Sequence, residues 1–209
     1  MDFFSQTNIY YYIAAYLCGS IPFGLILAKF FAGVDIKSQG SKSIGATNVL
    51  RVVKQTNPSL AKKLSVATVL LDALKGTVVL IIAMLLGASD ATLWAIAVLA
   101  VLGHCYSAFL GLEGGKGVAT GLGVFIVLIP IPTIIGAVVW GFCAKVLKIS
   151  SLSSLLGLTA VIIAALFINN GLNINSNVPM YIIAFIIYYK HIPNILRLIR
   201  GEEGKVTTK

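Results

Sequence analysis

The stretch GVATGLGVFIVLIPIPTIIGAVVWGFCAKVLK, residues 117–148, decides how many times this chain crosses an apolar medium. It carries no charge before Lys145, and Ile129-Pro130-Ile131-Pro132 stands in its middle. A proline lacks the amide donor that a helix needs, and its ring clashes with the preceding turn. Two short helices, 118–130 and 132–148, are therefore predicted rather than one long tilted helix. A mere kink would leave six spans in the chain, and a break gives seven.

The surrounding sequence has the same character. Of 209 residues, 58% are hydrophobic and 11% charged, and the mean hydropathy is +0.95, which excludes an ordinary soluble domain. In lipid each unpaired backbone group costs several kcal/mol, so only helices or a closed barrel can span. These runs are too long and too unalternating for barrel strands. The expected fold is an all-α, polytopic membrane bundle forming a single domain over residues 1–209. Its seven transmembrane helices are expected near 9–31, 64–87, 91–110, 118–130, 132–148, 151–168 and 178–190. The first run is too long for a signal-peptide core and has no basic segment before it, so it counts as a span. No internal repeat is visible, which weighs against the repeat-built transporter folds.

Charge supports seven. Short cytoplasmic loops collect Lys and Arg. With seven spans, the segment 32–63, the loop with Lys116, the turn near Lys145 and Lys148, and the tail from Lys190 all share one side. The opposite side, made of 1–8, 88–90, the IPIP turn and 169–177, has no Lys or Arg. The N-terminus is thus expected outside and the C-terminus in the cytoplasm. The net charge of +9 then belongs to one face, suited to anionic headgroups or an anionic substrate. Cys18, Cys105 and Cys143 show no paired spacing, and two distant histidines, at 104 and 191, offer no zinc site. No metal, cofactor or nucleic-acid partner is expected.

Three polar segments fall on the basic side. DIKSQGSKSIGATNVLR (35–51) reads as a turn-rich loop, either simply solvated or presenting Ser41, Thr47, Asn48 and Arg51 to a phosphate. GHCYSAFLGLEGGKGVAT (103–120) places Gly114, Gly115, Lys116 and Gly117 ahead of a helix N-terminus. That is either a flexible turn or an anion cradle, in which glycines admit close backbone approach and helix amides donate. It is not a Walker A loop, because Leu110 replaces the first glycine and Gly117 follows the lysine. His104 is either a core or a site residue. In YYKHIPNILRLIRGEE (188–203) the tyrosines and Arg197 and Arg200 suit an interfacial belt, while His191 and Asn194 can point together across one helical turn. Asp72 and Lys75, on one face of the second span, form either a structural ion pair or a support for the site. No HxxxxD box exists, since Phe109 and Leu196 stand five residues after the histidines.

Taken together, GSIPFG (19–24), GS…GATN (40–48) with Arg51, GH…GGKGVAT (103–120) and HIPN (191–194) resemble the bacterial acyl-phosphate–glycerol-3-phosphate acyltransferases of the PlsY type. The resemblance implies a seven-helix enzyme of the bacterial inner membrane, with its active site on the cytoplasmic face. Such an enzyme moves a fatty acyl group from acyl-phosphate to glycerol-3-phosphate, the first acylation of phospholipid biosynthesis, without a cofactor. It implies a functional link to an enzyme that makes acyl-phosphate from acyl carrier protein. It also implies Lys116, Arg51, His191 and Asn194 as catalytic residues. Ser41, Thr47, Asn48, His104, Gly114, Gly115 and Gly117 become the substrate-binding residues. Either His191 or a substrate phosphate oxygen takes the proton. Lys42-Ser43 departs from the family's Gly-Asn, Ser107 from a frequent proline, and Glu113 from a basic residue, which puts an acid near Lys116. A transporter or binding protein for an organic phosphate is the alternative that a basic pocket in a helical bundle leaves open.

Overall fold

A computed structural model describes residues 4–168 and 176–206. Among them are ten α-helices and no strand: α1 Gln6–Ser20, α2 Phe23–Ala32, α3 Ala46–Val53, α4 Pro58–Leu85, α5 Asp90–Cys105, α6 Val118–Leu128, α7 Pro130–Leu147, α8 Ser150–Phe167, α9 Val178–Lys190 and α10 Ile192–Ile199. The chain breaks at IPIP, with α6 ending at Leu128 and α7 opening on Pro130. In a first helical turn proline's missing donor is harmless and its fixed φ fits, so the same prolines that end one helix start the next.

Five segments are long and apolar enough to cross a membrane: Gln6–Ala32, Pro58–Leu85, Asp90–Leu110, Pro130–Leu147 and Ser150–Phe167. A sixth arises if α9 and α10, bent by 56°, count as one. With 11 residues, α6 reaches roughly 16 Å at 1.5 Å per residue, about half the hydrocarbon thickness. Most of the outer loop expected at 169–177, and the first residues of the outer N-terminal segment, lie outside the described residues.

Two expectations need correction. The loop expected over 35–51 ends in a helix, α3. Val49, Val52 and Val53 recur at helical spacing and bury against Ile36, Ile44, Ala61 and Leu64, while the Thr47 and Arg51 side faces away from that cluster. The second span begins at Pro58 rather than 64, because Asn57 caps it by accepting from the Leu60 amide at 3.0 Å.

The first span is itself broken, at Ile21-Pro22. A break inside lipid frees carbonyls that neighbouring groups must satisfy. Ser107 Oγ donates to Ser20 O at 2.6 Å, which gives a use to the serine found where proline was expected. Lys75 Nζ donates to Ile21 O at 2.9 Å. The ammonium also lies 3.0 Å from Asp72 Oδ1 in an ion pair and 2.8 Å from His104 Nδ1. Around this network α1 and α5 touch backbone to backbone: a Cβ on Gly103 would strike Tyr16 O, and one on Gly19 would strike Ala100 O.

Both members of the Asp72–Lys75 pair are almost fully buried, their side chains 3% and 1% exposed. Removing one partner strands the other's charge, at a cost of about 3–5 kcal/mol. Lys75→Met should therefore sharply lower the thermal unfolding midpoint in detergent, and adding Asp72→Asn should recover most of the loss. A double variant no more stable than Lys75→Met would show that the pair is not held as a charged unit.

Candidate functional site

A cavity of about 890 Å³ opens where the loop before α3, the α6 N-terminus, the start of α8, the α9–α10 corner and the C-terminal tail converge. Each wall has a local cause. Asn48, buried in α3, organises the first: its Oδ1 accepts from Ser41 N at 2.9 Å, and its Nδ2 donates to Ile36 O, Gln39 O and Ser43 O at 2.9, 3.2 and 2.9 Å. One side-chain amide thus folds residues 36–43 around itself. Lys42 adopts φ 58°, in the left-handed region where glycine is at ease, which explains why a glycine was expected there.

The second wall is the glycine loop. Gly115 N donates to His104 O at 2.9 Å, and a Cβ at 115 would collide with His104 Nε2. A Cβ at Gly114 would collide with His104 O. Gly114 and Gly115 therefore let the loop lie flat on the end of α5, and neither lines the cavity. Gly117, at φ 82°, reverses the chain into α6, whose first amides have no side-chain cap. Lys116 is held between them. Burial pushes its pKa down to about 8; Glu203 opposes that, and Arg197 and Arg51 add to it. The acid near Lys116 is not Glu113. That residue sits outside the cavity in an exposed ion pair with Lys37, 2.8 Å away.

The α9–α10 corner forms the third wall. His191 and Asn194 are both buried, one helical turn apart. His191 Nδ1 lies 2.7 Å from Ile187 O, so Nδ1 carries the proton and Nε2 is left as an acceptor. From α8, Ser150 Oγ pairs with Thr47 Oγ1 at 3.1 Å.

Ser41, Thr47, Asn48, Arg51, His104, Lys116, Gly117, His191 and Asn194 all line this one cavity. Sequence reasoning missed Ser150, Ser151, Ser154 and Glu203, and placed Arg197 only as a membrane anchor. Four serines within 150–154, at the head of an otherwise apolar helix, were the available signal for the first three. Charged lining groups are Lys42, Arg51, Lys116, Lys190, Arg197 and Lys205 against Asp72 and Glu203, so the polar end attracts anions. The other end is apolar, walled by Val69, Leu122, Phe125, Ala137, Trp140, Leu158 and Val161. Among the described residues no group of three or more His, Cys, Asp or Glu could hold a metal ion.

Comparison with known proteins is consistent with this geometry. A glycerol-3-phosphate acyltransferase of Aliarcobacter butzleri is 79% identical over 99% of this chain and 100% of its own length. One from Sulfurimonas denitrificans is 61% identical over the same shares. A crystal structure of PlsY, an integral membrane glycerol 3-phosphate acyltransferase in its glycerol 3-phosphate form, matches with a TM-score of 0.85 and 34% identity over 97% of each chain. With the glycerol-3-phosphate acyltransferase family pattern matching residues 9–201, this chain belongs to that family of membrane acyltransferases.

Proposed function

We propose that the cavity transfers a fatty acyl group from an acyl-phosphate to the 1-hydroxyl of glycerol-3-phosphate, giving lysophosphatidic acid and inorganic phosphate. The observation that carries this is the union of a cationic end and an apolar end in one cavity. An acyl-phosphate has both parts, and glycerol-3-phosphate needs only the first. The solved relatives captured with glycerol 3-phosphate and with lysophosphatidic acid support the same acceptor and product.

The chemistry asks little of the protein. A mixed anhydride is already activated, so no cofactor or covalent nucleophile is required. The acceptor hydroxyl attacks the acyl carbonyl carbon, a C–O bond forms, the bond to phosphate breaks, and the hydroxyl proton must be taken up. Lys116, Arg51 and the uncapped amides of α6 hold the phosphates and the developing negative charge, each contributing on the order of 2–4 kcal/mol. Ser41 and Thr47 add hydrogen bonds at the same end. Asn48, Gly114, Gly115 and His104 act by shaping the loops. His191 Nε2 is the acceptor that the protein offers to the proton, and a phosphate oxygen of the substrate is the other.

The single domain, 1–209, crosses the membrane seven times, with its N-terminus outside and its C-terminus in the cytoplasm. That residues 40–51, 116, 150 and 190–206 border one cavity supports reading the helices between consecutive walls as returning pairs: α4 with α5, α6 with α7, α8 with α9. In the pair α6–α7, α6 is counted as a short outward crossing and α7 as the return. With the first span the sum is seven, and the Lys- and Arg-rich segments then lie together in the cytoplasm of a bacterium, on the inner membrane. There the cavity receives soluble glycerol-3-phosphate and an acyl-phosphate supplied by an enzyme that makes it from acyl carrier protein.

Purified protein given palmitoyl-phosphate and labelled glycerol-3-phosphate should form labelled lysophosphatidate; activity with acyl-CoA alone would defeat the proposal. Lys116→Ala should fold normally and lose activity by about a hundredfold or more. Because burial depresses the Lys116 pKa, its charge is present below about 8 and lost above it. The kcat/KM for glycerol-3-phosphate should accordingly fall as pH rises through that value, and Lys116→Arg should flatten the fall while lowering the plateau. Ala137→Trp, which narrows the apolar end, should raise the preference for dodecanoyl- over palmitoyl-phosphate about tenfold if it displaces about two methylenes of the longer chain, each costing ~0.8 kcal/mol. An unchanged preference would place the acyl chain elsewhere.

A further inference from the structure

Glu203 lies beyond the last helix, in a segment with no apolar pattern, yet its side chain is only 10% exposed. The chain is turned back to bring it there. Gly201, at φ 71°, follows the end of α10, with Gly201 N donating to Leu198 O at 3.1 Å and Glu202 N to Arg197 O at 2.8 Å. These two bonds form a Schellman closure, which needs a residue at ease with positive φ at that position. Farther on, Val206 N donates to Lys148 O at 2.6 Å and pins the tail to the end of α7.

At the point so fixed, the carboxylate takes three donors from two helices. Oε1 accepts from Ser151 Oγ of α8 at 2.7 Å and from Asn194 Nδ2 of α10 at 2.5 Å, and Oε2 accepts from Arg197 Nε at 2.6 Å. All four residues line the cavity. Burial works to raise the Glu203 pKa, but the three hydrogen bonds and the Arg197 charge outweigh it and hold the carboxyl below its usual value. The group is therefore an acceptor only, and it dictates which end of each neighbour is left for the cavity. Asn194 has one N–H committed, so its Oδ1, which makes no hydrogen bond among the described residues, is the free end. Arg197 has Nε committed, which leaves its terminal nitrogens.

We infer that Glu203 is a positioning residue for acyl transfer, its carboxylate orienting the Asn194 amide, the Arg197 fork and the Ser151 hydroxyl toward the reacting groups. With Asn194 Oδ1 and His191 Nε2 both presented as acceptors, that corner suits the hydroxyl end of the acceptor substrate, while the lysine and arginine ends suit its phosphate. Glu203 touches neither substrate and acts through the residues it holds. An ionised carboxylate beside Arg197 and Lys116 also lowers the positive potential of the cavity, so its contribution is geometric and opposes, rather than assists, capture of anions.

This role rests on the acyl-phosphate reaction proposed above, and Glu203→Gln tests it. Glutamine keeps the size and one acceptor but can also donate, so it no longer enforces the orientation of Asn194. Wild type, Glu203→Gln and Glu203→Ala would be purified in the same detergent, with the folded fraction and unfolding midpoint measured for each. Per folded molecule, Glu203→Gln should lose kcat tenfold or more with a KM for glycerol-3-phosphate that is unchanged or lower, and Glu203→Ala should lose more. A kcat per folded molecule equal to wild type in both variants, with only the unfolding midpoint lowered, would make Glu203 a mere anchor of the tail and overturn the inference. A loss expressed wholly as a raised KM overturns it too, because it would mean that the carboxylate serves binding. Wild-type protein that makes no lysophosphatidate from acyl-phosphate overturns the reaction itself, and this role with it.

Discussion

A carbonyl freed in the middle of a membrane must find a donor, and at the Ile21-Pro22 break Ile21 O takes two, Phe23 N at 3.1 Å and Lys75 Nζ at 2.9 Å. Much of the site follows from that requirement. The ammonium needs a counter-charge at that depth, which Asp72 supplies from one turn away, and it has one proton left to give. That proton goes to His104 Nδ1 and fixes the imidazole ring. Gly115 can then lie directly on the ring's Nε2 edge because it has no side chain. The next residue is Lys116, which this contact sets at the cavity wall. A proline in the first span thus reaches the glycine loop through a chain of polar contacts.

The helices were legible because lipid imposes a length and forbids unpaired backbone. Pro130 and Pro132 marked the break between α6 and α7 correctly, since the rule that they obey is local. Where packing between segments decided the outcome, the sequence said less. Glycines and hydroxyls made 35–51 look like a loop throughout, and the short stripe Val49, Val52 and Val53 was too brief to outweigh them. Only burial against Ile36 and Leu64 turns that stripe into α3, whose other side carries Thr47 and Arg51. Such a helix of eight residues is marginal alone and exists because of its neighbours.

Of the site, the residues in glycine-rich and HIPN motifs could be named because their composition was out of place between apolar runs. Their division of labour could not. Asn48 looked like a phosphate ligand, yet its amide is spent on backbone groups of its own loop, and Gly114 and Gly115 serve close packing rather than lining. Glu203 was invisible for a different reason: it is ordinary in its own segment and becomes notable only when the tail folds back across α8 and α10.

Glu203 also bears on a balance that the basic face has to strike. Lys42, Arg51, Lys116, Lys190, Arg197 and Lys205 around one cavity would repel one another and, once a phosphate arrived, would release it slowly. The reaction proposed above, which would end with inorganic phosphate and a phosphorylated lipid in the same place, cannot rely on the tightest possible anion site, because binding that is equal in ground and transition states adds nothing to kcat. An internal carboxylate that engages Arg197, and that lies close enough to Lys116 to oppose the fall in its pKa, tempers the ground-state attraction while leaving the oriented donors in place. The site then favours the geometry in which charge is developing over the geometry in which it is merely stored.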